Sequence, residues 1–93
     1  MDRKALIDKL HARLIDWNNE ITRLEAKAEQ ASGEAKRDLL ETIEQMKQRK
    51  EEARTKIAEL QHASDSAWED IKKGADEALD AIKRSFESAK SKF

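Results

Sequence analysis

Residues 7–31 read IDKLHARLIDWNNEITRLEAKAEQA, and the spacing of apolar residues in this stretch decides the fold. Ile7, Leu10, Leu14, Trp17, Ile21, Leu24, Ala28 and Ala31 recur at alternating steps of three and four. That rhythm puts them on one side of an α-helix and matches a heptad seam. It resumes at Leu39, Ile43, Met46, Lys50, Ala53, Ile57 and Leu60, where Lys50 is the one charged member. It runs a third time through Trp68, Ile71, Ala75, Leu79, Ile82, Phe86, Ala89 and Phe93, with one stutter.

Two places interrupt this stripe. At Ser32-Gly33 a glycine follows a helical run, which suits the left-handed position just past a helix C-terminus. At His62-Ala63-Ser64-Asp65-Ser66 several residues are able to cap a new helix, and Ser66 with Glu69 fits a capping box. Cutting at both places leaves helices of nearly equal length over 2–31, 34–62 and 65–92, each about 42–45 Å long at 1.5 Å per residue. Equal lengths are what an up-down-up bundle needs.

Composition agrees. The chain has 93 residues, no Pro, 2 Gly, 4% aromatics and 42% charged residues. A sandwich or barrel needs frequent turns and β-branched or aromatic strands, and an α/β fold needs strands between its helices. Neither pattern is present. An all-α chain rich in Ala, Lys and Glu remains, of one domain over 1–93.

The facing residues of an antiparallel hairpin share a constant sum of residue numbers. Ile7/Leu60, Leu10/Ile57, Leu14/Ala53, Trp17/Lys50 and Ile21/Met46 share one sum, centred at Gly33/Glu34. Leu60/Trp68, Ile57/Ile71, Ala53/Ala75 and Met46/Ile82 share another, centred on Ser64. The expectation is an elongated antiparallel three-helix bundle, a helical hairpin extended by a third helix with coiled-coil packing. The stripe also keeps its phase across both breaks, and one Gly costs a helix only about 1 kcal/mol relative to Ala. Longer helices in a homo-oligomeric coiled coil are therefore the alternative. Ile15 and Leu40 lie off the stripe, and they suggest a second buried face on the first two helices.

Charge narrows the function. Nineteen basic and twenty acidic residues give a net charge of −1. The signs also balance locally, with six of each in 1–31, seven of each in 34–62, and six basic against seven acidic in 63–93. A nucleic-acid partner needs a basic patch to neutralise phosphates, and no segment supplies one. The alternation reads as a solvated helical surface, with i,i+4 pairs at Glu52/Lys56, Glu69/Lys73 and Asp80/Arg84. There is no Cys, and hence neither disulfide nor thiolate chemistry. The first residues, MDRKALIDKLHARL, lack the apolar core of a secretory signal, and no apolar run nears a membrane span. The expected location is cytoplasmic.

No residue pattern announces chemistry. His11 and His62 are the only histidines, and the hairpin register sets them about 9 Å apart along the axis. That is too far for shared ligation of a zinc-like ion, so no metal site is expected. The carboxylates fall on the wet arc beside Lys and Arg, away from the burial that shifts a catalytic pKa. There is no phosphate-binding glycine loop and no nucleophile motif. No catalytic residue, cofactor or small-molecule substrate is expected, and the chain is read as not an enzyme. Trp17 and Trp68 sit on the stripe as core residues, and Trp17 faces the aliphatic stem of Lys50. Trp68, Phe86 and Phe93 read alternatively as anchors of an amphipathic helix on a membrane surface, against which the balanced charge of that segment weighs.

Two strings, LIDKLHARLIDWNNEITRLEAKAEQA at 6–31 and ELQHASDSAWEDIKKGADEALDAIKRSFESAKSKF at 59–93, resemble a family of small bacterial coiled-coil proteins. The resemblance is carried by Lys9-Leu10, Leu14, Trp17-Asn18 and Glu20-Ile21, by Ala63-Ser64, Ala67-Trp68-Glu69-Asp70-Ile71-Lys72 and Gly74, and by the ending Lys92-Phe93. It implies a coiled-coil or stress-response protein with no activity or site residues to carry over. The leading expectation is a non-enzymatic helical interaction or structural module that acts by self-association or by binding a partner helix. A hydrophilic stress protectant, loosely folded until it meets membranes or dries, is the alternative, followed by a peripheral membrane-surface helix.

Overall fold

In the computed structural model residues 2–90 are described, and they form three α-helices in an elongated bundle of 50 × 18 × 17 Å. Helix α1 spans Arg3–Gln30, α2 spans Gly33–Gln61 and α3 spans Asp65–Lys90. The ends of α1 and α2 shift by one residue from the sequence reading and α3 starts where expected, while positions 91–93, the expected end of α3 and Phe93 among them, lie outside the described residues. The chain is broken at both expected places, so α1 and α2 are separate helices and not one rod.

The heptad stripe is the core. Every fully buried residue belongs to it, from Leu10 in α1 through Met46, Ala53 and Ile57 in α2 to Leu79, Ile82 and Ala89 in α3. Ile7, Trp17, Ile71 and Phe86 pack against it half-buried. Among the described residues no polar or charged residue is buried. The expected second buried face is absent. Ile15 is 60% exposed and Leu40 50% exposed, because a three-helix bundle has one axial core and each helix turns a single stripe toward it. α2 packs most extensively on α3, next on α1, and α1 and α3 meet least.

The two junctions are built differently. α1 begins with Asp2, whose carboxylate accepts the Lys4 N–H at 3.0 Å. It ends at Ala31, whose N–H returns to the Lys27 and Ala28 carbonyls. Ala31 and Ser32 are both extended (φ −86°, ψ 161° and φ −140°, ψ 163°), and Gly33 then takes φ +64° as the first residue of α2. The glycine is left-handed as expected, but it opens α2 and does not close α1. Two extended residues already end α1, so the reversal falls one step later. Ser32 provides no side-chain cap.

The second junction is tighter. His62 and Ala63 close α2 through bonds to the Glu59 and Leu60 carbonyls, and Ser64 then caps α3 with its Oγ 3.3 Å from the Ala67 N–H. The expected capping box of Ser66 and Glu69 is not formed. Helix α3 starts at Asp65, which places Ser66 inside the first turn, where its hydroxyl meets that of Ser64 at 3.2 Å.

Candidate functional site

The side chains that reach between helices concentrate along the α1–α3 seam. Arg3, at the start of α1, lies over the Trp68 ring with its guanidinium carbon 4.4 Å from the ring centroid. The same guanidinium donates to the Ala63 carbonyl at 3.1 Å and to the Asp65 carboxylate at 2.6 Å. Ten residues on, Arg13 reaches Asp76 at 3.4 Å and Asp80 at 3.3 Å. One turn further, Trp17 and Phe86 meet edge to face. These contacts climb the parallel pair α1–α3 in order, so they set its register where the backbones approach least.

The α1–α2 seam is spanned by Lys47 to Glu25 at 3.1 Å and by Lys50 to Asn18 at 3.1 Å. Lys50 occupies the stripe half-buried, its stem in the bundle and its amino group at the surface. Its partner is the Asn18 side chain, while the nearby Glu20 is held by Arg23 at 2.6 Å. Trp17, expected across from Lys50, meets the Phe86 ring of α3. Of the expected i,i+4 pairs, Asp80 serves Arg13 across the seam and Lys56 reaches Glu59 at 3.9 Å.

The histidines stand apart in role. His11 is half-buried on α1, and His62 is exposed at the C-terminal cap of α2. Among the described residues no group of three His, Cys, Asp or Glu side chains is placed to hold a metal ion. Trp68 is buried and Phe86 half-buried, both turned to the bundle interior. No helix among the described residues is long and apolar enough to cross a membrane.

The surface carries shallow grooves. One, of about 660 Å³, runs between α2 and α3 past Lys56, Glu59, Gly74, Ala78 and Ala81. A smaller one of about 430 Å³ lies between Leu24, Lys27, Phe86 and Lys90 at the far end of the α1–α3 seam. The sequence reading missed the Arg3 and Arg13 contacts. Their sequence signal is a pair of arginines ten residues apart in α1 and acids in α3 at Asp65 and, eleven residues on, Asp76.

The fold and the seam define an all-α bundle whose cross-helix contacts are packing, charge and ring contacts. Comparison with protein-family models, with curated proteins and with solved structures finds no match for this chain.

Proposed function

We propose that this protein is a non-enzymatic helical interaction module, acting by self-association or by binding a partner helix. One observation carries the reading: among the described residues, all full burial along a 50 Å rod falls on a single heptad stripe, and charged residues flank it at the helix seams. In helical assemblies the stripe supplies the affinity and the flanking charges supply partner choice and orientation. Arg13 with Asp76 and Asp80, and Lys47 with Glu25, take that second part here. A cytoplasmic setting and a link to stress response belong to the same proposal, the second from the resemblance of the two Trp-centred strings.

Light scattering over a wide concentration range, joined to circular dichroism melts, tests it. The expected result is a cooperative melt whose midpoint rises with protein concentration, with a mass that grows beyond one chain. A mass of one chain at every concentration, with a fixed midpoint, counts against self-association. Low helicity in dilute buffer that rises only with lipid vesicles or trifluoroethanol would replace the module with the protectant.

A further inference from the structure

The two junctions are unequally built. The α2–α3 turn carries the Ser64 side-chain cap. The α1–α2 link has no side-chain cap, its Ser32 and Gly33 are exposed, and a Cβ on Gly33 would meet nothing within 4 Å. Only Ala31, Ser32 and the φ of Gly33 separate α1 and α2 from one continuous helix. The apolar stripe keeps its phase across that link, so a straightened chain would still show one apolar face.

From this we infer that the partner is a second copy of this chain, and that the two copies associate by exchanging α1. The inference rests on the reading of the chain as an interaction module. Straightening at 31–33 carries α1 out of its own bundle and into the groove between α2 and α3 of the other copy. The constant-sum register centred at Gly33/Glu34 is also the register of two straightened chains lying antiparallel about a twofold axis. Every contact of α1 re-forms across the pair: Trp17 on Phe86, Arg13 on Asp76 and Asp80, Arg3 on Trp68. Closed and exchanged forms then differ at the link alone, where the closed form needs a left-handed residue and the exchanged form needs a helical one.

Charge exchange tests this. One copy carries Arg13→Glu. The other carries Asp76→Lys and Asp80→Lys. Each copy alone opposes like charges across its α1–α3 seam, whether closed or exchanged with itself. Only a mixed, exchanged pair restores opposite charges in both bundles. The copies are combined, heated, cooled and measured for mass and melting temperature. The expected product has twice the 10.7 kDa chain mass and melts above either copy alone. Where a single copy fails to fold, recovery of helix on mixing is the same readout. A mixture that melts as the sum of its parts, or copies that dimerise equally well unmixed, overturns the inference.

The link gives a second arm. Gly33→Ala penalises the left-handed turn and favours the helix, by about thirtyfold per chain and so about a thousandfold in the dimer dissociation constant. Two glycines inserted after Ser32 in that variant should return it to the monomer. A dissociation constant unmoved by Gly33→Ala overturns the inference. If the wild-type chain associates while both arms fail, the module reading stands and the exchange does not; a chain that never associates overturns the exchange and leaves the module reading only its partner-helix form.

Discussion

The Trp17 indole of α1 meets the Phe86 ring of α3 edge to face, with ring centroids 5.4 Å apart and planes inclined at 62°. The pair fills the seam in which the helices approach least, and the residue after Trp17, Asn18, bonds the half-buried Lys50 of α2. Edge-to-face pairs are worth about 0.5–1.5 kcal/mol beyond the area they bury. A double-mutant cycle of Trp17→Leu and Phe86→Leu should return a coupling energy in that range. A coupling near zero in chemical denaturation would mean that the two rings act only as separate filler.

The buried stripe sets the stability. Ile57 is fully buried and Leu14 only 9% exposed, so Ile57→Ala and Leu14→Ala should each cost about 2–5 kcal/mol. Ala26→Ser, on the exposed face of α1, should cost under about 0.5 kcal/mol. Leu40→Gln should behave like the second group, since Leu40 is half exposed. Urea titrations of the four variants check the division, and equal midpoints throughout would refute it.

Lys50 holds a stripe position with a half-buried stem and its charge at the surface, where an apolar side chain would bury more. Its amino group bonds the Asn18 side chain at an exposed site, where water is able to replace it. Lys50→Leu should raise the melting temperature through added apolar burial and broaden the distribution of oligomers, because a lone polar seam residue specifies register. A lower melting temperature would show that the bond to Asn18 outweighs the burial.

The two glycines should respond oppositely. Gly74 lies within α3, and a Cβ there would stand 3.6 Å from Cδ and 3.7 Å from Cε of the Lys56 side chain, an ordinary contact. Gly74→Ala should stabilise the bundle by about 0.5–1 kcal/mol through helix propensity. Gly33→Ala should lower the melting temperature of the closed monomer, since its φ of +64° strains any residue with a Cβ. Thermal melts at a concentration low enough to keep one chain per particle would expose any shared sign.

Arg3 makes its contribution through Trp68 and the Ala63 carbonyl more than through its ion pair. The Asp65 side chain is fully exposed and salt screens it, so Asp65→Ala should leave the melting temperature unchanged. Arg3→Ala removes the cation–π contact and the bond that ties α1 to the second turn, and should cost about 1 kcal/mol. A loss on Arg3→Ala that disappears in high salt would assign the effect to the ion pair instead.

The heptad stripe already marks the chain as helical and contains every buried residue among the described ones, because a period between three and four admits only a helical solution. The two breaks were legible from Ser32-Gly33 and His62–Ser66, whereas the choice of three short helices over longer ones was not, since the stripe keeps its phase across both. Gly33's left-handed φ was legible for the same local reason: a reversal between two helices calls for the one residue without a Cβ. Neighbouring helices joined by short turns inherit their register from the turn, so the constant sums placed Lys50 within one residue of its partner Asn18. The pair α1–α3 has no such turn. Its register depends on both junctions together and on the volumes packed between, so Arg13 with Asp76 and Asp80, and Trp17 with Phe86, emerge only from the folded molecule. The choice of Ser64 over Ser66 as cap and the outward aim of Ile15 and Leu40 belong there too. Each turns on a rotation of a few tens of degrees about a helix axis, which the packing of all three helices decides and no single segment contains.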